Sequence, residues 1–238
     1  MVDKPGTSSA QENPDILFHR LDDILNMSRL YTRNKHYARA KEQYNLAFDV
    51  VDRITAYPDE YEEYNLFNAR LAVYLSLSGM YFQQGDYVSS LHADFQAVDL
   101  LHQMEAINRR DNPDQVITNI RNLIVTLTRI ADCYNLLGDL TNALKYARQA
   151  LSRCKEETNN WGLSALKNWI YLVDLSLVRI CCDMGKPEEA LTYCREFVNI
   201  CDILPDSIIT EKGKERYDKM NAIYHLIKET GTYRKVSL

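Results

Sequence analysis

The stretch CYNLLGDLTNALKYARQAL, residues 133–151, decides the fold because the chain carries two more segments built like it. Upstream stands MYFQQGDYVSSLHADFQAV, residues 80–98, and downstream ICCDMGKPEEALTYCREFV, residues 180–198. The three align on Gly85, Gly138 and Gly185. A glycine in this position stops one helix. Asp86 and Asp139, which follow two of the glycines, are good N-caps for the next helix, and Pro187 suits a first helical turn. Each segment therefore reads as a helix, a tight turn and a second, antiparallel helix.

The spacing inside the segments agrees. In the second helix small residues recur at Ser90, Ala143 and Ala190, with Asp94, Ala147 and Cys194 four residues on and Ala97, Ala150 and Phe197 three beyond those. That is one face of a helix. In the first helix the matching sets are Leu77, Ile130 and Leu177, then Ser78, Ala131 and Val178, then Tyr81, Tyr134 and Cys181. A fourth copy lies upstream in MSRLYTRNKHYARAKEQYNLAF, residues 27–48, where Ser28, Tyr31, Tyr37, Ala40, Tyr44 and Ala47 take the corresponding places.

Four copies in register resemble the tetratricopeptide repeat, whose signature runs leucine, small residue, aromatic, then alanine, aromatic and alanine. The resemblance implies an all-α fold: a right-handed α-solenoid of about four antiparallel helix hairpins, at 14–56, 59–107, 112–157 and 161–204, closed by a capping helix at 211–229. These make a single domain at 14–230, with a disordered tail at 1–13 and a short tail at 231–238. The period departs from the family pattern, because Ala40, Ser90, Ala143 and Ala190 are 50, 53 and 47 residues apart, against about 34 in the usual unit. The surplus keeps its apolar spacing, so it reads as extra N-terminal turns and hairpins of roughly 35 Å. Long-helix variants of the repeat occur in motor light chains, polarity adaptors and bacterial peptide-pheromone receptors, which implies a deep groove.

Composition is consistent with this. The 238 residues are 46% hydrophobic and include only 8 Gly and 6 Pro, which favours long helices. A net charge of −5 gives no general attraction to phosphate backbones, so nucleic acid is disfavoured as a partner. No apolar run reaches the length of a membrane span and the first residues lack a signal-peptide core, so the expectation is a cytoplasmic protein that does not enter a membrane. Six cysteines lack metal or redox spacing and read as reduced, buried packing residues. The five histidines are scattered, and no hydrolase, zinc-protease or phosphate-loop pattern is present, so no catalytic residue, metal or cofactor is assigned. Asp94, standing where the repeat wants an aromatic, is expected to pair with a neighbour such as His92 or to reach the rim. Trp161 reads as a staple for the helix that follows it.

The family resemblance further implies that the first helix of each hairpin faces the groove. On the stripes so chosen stand Asn68 and Leu75 in the second hairpin, Arg121 with Asn122 and Arg129 on its flank in the third, Asn168 and Arg179 in the fourth, and Leu25 and Arg29 in the first. Asparagine carries a donor and an acceptor, so Asn68, Asn122 and Asn168 together form a ladder suited to the main chain of an extended peptide. The arginines favour an acidic or phosphorylated segment. Leu25, Ser76 and Gly79 occupy places where a chaperone-tail clamp needs polar donors, which argues against that ligand. The resulting expectation is a non-catalytic adaptor or scaffold that binds a partner protein. RNA binding in the groove and docking on a partner enzyme stay open as alternatives, as does a homodimer through the array ends.

Overall fold

In the computed structural model, residues 14–56, 63–111, 113–203 and 211–233 are described. They hold nine helices: α1 (Pro14–Arg33), α2 (Tyr37–Thr55), α3 (Glu63–Gln84), α4 (Tyr87–Asp111), α5 (Pro113–Leu136), α6 (Leu140–Trp161), α7 (Leu163–Asp183), α8 (Pro187–Ile203) and α9 (Glu211–Thr230). The fold class is all-α, with neighbouring helices packed in sequence as in an α-solenoid. The tail read from the sequence at 1–13, and residues 234–238 of the one read at 231–238, lie outside the described residues. Contacts group the chain into two compact units, Met1–Gln84 and Gly85–Leu238. The boundary falls in the turn of the hairpin expected at 59–107, so α3 belongs to the first unit and α4 to the second.

In the first unit α1 and α2 form a hairpin and α3 packs against both. Leu17, Leu21 and Leu25 from α1 meet Ala40, Tyr44 and Ala47 from α2 and Ala69, Val73 and Met80 from α3. In the second unit each helix from α4 to α9 packs on the next, and α5 also reaches α7 and α7 reaches α9. The repeated small residues are the crossing points: Ser28, Ala40, Ser78, Ser90, Ala131, Ala143, Val178 and Ala190 are all fully buried. Ser28 hands its hydroxyl proton to the Ile24 carbonyl at 2.8 Å, so its burial leaves no polar atom stranded.

The turns after α1, α5 and α7 follow one hydrogen-bond scheme. After α5 the Gly138 N–H donates to the Asn135 carbonyl and the Asp139 N–H to the Tyr134 carbonyl, at 3.1 and 2.9 Å, which is the Schellman arrangement. The scheme needs a left-handed residue, and Gly138 supplies it with φ +83°. The α1–α2 turn makes the same two bonds, Lys35 to Thr32 and His36 to Tyr31, but forces a lysine into φ +59°. Asp86 and Asp139 cap the following helices as expected, accepting from the Ser89 and Asn142 N–H groups at 3.1 and 3.0 Å. Those bonds hold the Asp139 carboxyl below its ordinary range.

The α6–α7 joint is tighter than the sequence suggests. α6 runs on through Asn160 and Trp161, and Gly162 alone separates it from α7. The reason is Glu157, buried in the last turns of α6. Asn160 and the Trp161 indole both donate to it, at 2.9 and 3.2 Å. Trp161 thus bonds back to its own helix and is 39% exposed, where a staple for the next helix was expected.

Lys35→Gly should raise unfolding stability by about 0.5–1 kcal/mol by removing the left-handed strain, while Gly138→Ala should lower it by about 1–2 kcal/mol. Urea denaturation of the two variants against the parent measures both.

Candidate functional site

The inner row of the second unit defines its curvature. α5 packs on α7 and α7 on α9, whereas the outer helices α4, α6 and α8 are joined by long side chains. Arg153 reaches Glu105 from α6 to α4, and Arg148–Glu189 at 3.4 Å and Lys155–Glu196 at 3.3 Å run from α6 to α8. Cavities of about 500 and 170 Å3 open between those outer helices. A stack that is close on one side and gapped on the other bends toward the close side, so α5, α7 and α9 line the concave face of this unit.

That face is laced by polar links between neighbouring helices. The Arg121 guanidinium lies 6.0 Å from the centre of the Trp169 ring. The Ser176 hydroxyl donates to Asp132 at 2.7 Å, and Asn135 donates through Nδ2 to Asp183 at 2.9 Å. Arg216, on α9, donates to the Asn168 side-chain oxygen and lies 5.3 Å from the Tyr171 ring. Burial pushes the Asp132 carboxyl above its ordinary range, while the Ser176 hydroxyl and the Arg179 charge pull it back. Two buried polar atoms on these residues have no hydrogen-bond partner within the protein, Arg121 Nε and Asn135 Oδ1.

Arg121, Asn168 and Arg179 are thus gathered with Asn135 on the α5/α7 face of the second unit. Counted back from Leu77, Ile130 and Leu177, the strict repeat register holds Asn68, Arg121 and Asn168, and Asn122 stands one residue off it, half-buried. Asn68, exposed on α3, and half-buried Leu75 belong to the first unit. There Arg29 reaches Ser76 at 3.3 Å and Asn26 at 3.4 Å. Leu25, taken as groove-facing, is a core residue, 2% exposed.

Arg129 has a different use. Its Nε sits 2.9 and 3.0 Å from the two oxygens of Asp94 on α4, and its Nη2 2.5 Å from one of them. Asp94 is fully buried. The expected partner, His92, is exposed on the same helix. The pair replaces an aromatic contact with a fork-shaped charge-assisted bond, and it takes Arg129 out of the groups available to a ligand.

Residues 125–157 match the family model described as tetratricopeptide repeat. The match covers the second half of α5 and most of α6, leaving the first turns of α5 outside. The chain matches none of the curated proteins. Together with the helical-repeat architecture, the match supports a tetratricopeptide-type protein, a class that generally mediates protein–protein interaction. No described helix is long and apolar enough to cross a membrane.

Among the described residues no cluster of three His, Cys, Asp or Glu is arranged to hold a metal. All six cysteines are free thiols, and every one except Cys182 is buried. Burial pushes Cys154 and Cys194 up to about 12 and Cys133 and Cys181 up to about 11.

Sequence reasoning missed Arg216 and Trp169. Arg216 sits 48 residues beyond Asn168, one repeat further along, so extending the groove stripe into the capping helix would have found it.

Two outcomes follow. Arg129→Ala, which strands the Asp94 carboxylate in the core, should cost about 3–5 kcal/mol in chemical denaturation, and Asp94→Leu with Arg129→Leu should recover most of that loss. In native protein at pH 8, iodoacetamide should modify Cys182 first and the other five cysteines only at the rate of local opening, as peptide mass spectrometry would show.

Proposed function

We propose that this protein is a non-catalytic adaptor whose second unit receives an extended acidic segment of a partner protein along α5, α7 and α9. One observation carries the reading: two of the buried atoms without partners, Arg121 Nε and Asn135 Oδ1, belong to residues of that face. A buried polar atom left unpaired costs about 1–3 kcal/mol. A ligand main chain would supply what is missing. Asn135 has given its amide hydrogen to Asp183 and keeps an acceptor for a peptide N–H. Asn168 has its oxygen occupied by Arg216 and keeps donors for a peptide carbonyl.

The charges favour an acidic ligand. Arg121, Arg179 and Arg216 stand on the inner row beside Asp132, Asp183 and Glu215, and the three guanidiniums are the groups an acidic segment would engage. Leu172, 36% exposed on α7, adds an apolar contact for a side chain of the ligand. In this reading Asn122 bonds from the flank. Asn68, Leu75 and Arg29 offer a comparable strip on the first unit.

The test is fluorescence anisotropy with peptides selected from a displayed library on the parent protein. The selected sequences should be rich in Asp and Glu. Binding should weaken at least tenfold in the Asn68→Ala, Asn122→Ala, Asn168→Ala triple variant and in Arg179→Glu, a loss of about 1.4 kcal/mol or more. Unchanged affinity in both variants would place binding elsewhere and sink the reading. Tight retention of single-stranded RNA that falls steeply with salt would replace it with the nucleic-acid alternative.

A further inference from the structure

A second site lies on the opposite, outer side of the second unit. Three residues before Met27, Leu77, Ile130 and Leu177 the repeat places Ile24, Tyr74, Leu127 and Asp174. Three of the four are large and hydrophobic. Leu127 lines the cavity between α4, α5 and α6. Asp174 lines the matching cavity between α6, α7 and α8. It is 1% exposed, and neither carboxylate oxygen has a hydrogen-bond partner within the protein. A buried carboxyl without a donor is among the costliest groups a fold can carry. Its presence in a place the repeat otherwise fills with an apolar side chain calls for a use.

The surroundings define what would satisfy it. The walls of this 170 Å3 cavity include Leu151, Leu163, Ile170 and Ile200. At the rim Lys155 and Glu196 pair at 3.3 Å, with side chains 61% and 41% exposed, so the pair is free to part. Facing Asp174 are Cys154 and Lys155 from α6 and Cys194 and Glu196 from α8. That is two carboxyls against one ammonium. Burial pushes the Asp174 carboxyl well above the usual range, Glu196 adds to the shift and Lys155 opposes it. Apolar walls over a buried carboxyl that has no donor suit a cation on an alkyl stem, which would take the place of its proton. A bare metal ion is poorly served, because no set of three metal-ligating side chains is assembled among the described residues.

We infer that the cavity between α6, α7 and α8 is a receptor for one alkylammonium group, with Asp174 as its counter-ion and Glu196 as a second acceptor at the rim. Lys155 acts as a built-in competitor, held by Glu196 until a ligand enters. Binding a cation fixes Asp174 in its charged form, so it releases a proton and tightens as pH rises toward the folded-state pKa of that carboxyl.

The experiment is isothermal titration of the full chain with n-butylammonium chloride, against n-butanol as the neutral match and sodium chloride for ionic strength. Heats in two buffers of different ionisation enthalpy count the protons released. The parent should bind one n-butylammonium with release of up to one proton and show no comparable binding of butanol. Asp174→Leu, which copies Leu127, should fold with a raised melting temperature and bind at least tenfold more weakly. Asp174→Asn, closest in size, should lose affinity likewise. Lys155→Met should bind severalfold more tightly. A parallel titration with Nα-acetyl-lysine methylamide separates the sources: binding with the same Asp174 dependence assigns the pocket to a lysine side chain of a partner, and failure while n-butylammonium binds assigns it to a free amine. Absence of binding by both probes overturns the inference. So does an affinity unchanged from the parent in both Asp174 variants, or equal binding of butanol.

Discussion

The close approach of helices at small, fully buried residues is the constraint on which the rest depends. Ser90, Ala143 and Ala190 on the even-numbered helices and Ala131 and Val178 on the odd-numbered ones leave no room for a longer side chain where successive helices cross. The crossing fixes helix phase, and phase decides which residues turn inward, outward or into the core. Leu25 is central to the first unit's packing for that reason, where the stripe drawn from the sequence had put it in the groove. The same geometry brings α5 against α7 while α4, α6 and α8 meet through arginine, lysine and glutamate side chains.

Features with a local cause could be read from the chain. Helix-and-turn structure followed from Gly85, Gly138 and Gly185, the N-caps from Asp86 and Asp139, and the buried crossings from the repeated small residues, because each depends on neighbours within a few positions. Interactions between helices depended on phase, and there the reading failed or fell short. Arg129 and Asp94 are 35 residues apart and meet only because α4 and α5 present those faces to each other. His92, two residues from Asp94, looked the nearer partner but points to solvent. Asn168 and Arg216 are 48 apart in helices joined by an intervening one. Asp174 is hidden in the apolar run IYLVDLSLV, and comparison with Ile24, Tyr74 and Leu127 exposes it as an exception to the repeat.

Polar groups in the second unit thus divide into settled and unsettled ones. Asp94 is closed by Arg129, Ser176 by Asp132, and Glu157 by Arg153, Asn160 and Trp161. These bonds fix register between elements without presenting anything to a ligand. Arg121 Nε, Asn135 Oδ1 and Asp174 are open, as are Asn119 Nδ2 and Arg153 Nε. The first two occur on the inner row and the third beneath the outer row, so the two candidate sites lie on different faces and differ in chemistry.

The two sides of the second unit also differ in stiffness. The inner row is held by direct packing and by polar links at contact distance, which together resist compression. The outer row is held by partly exposed ion pairs across gaps, whose strength falls with ionic strength. A beam built this way bends about its packed edge, and the spacing of α4, α6 and α8 is its soft coordinate. Ionic strength therefore acts on the curvature of the unit as a mechanical variable, loosening the outer row while the inner row keeps its geometry.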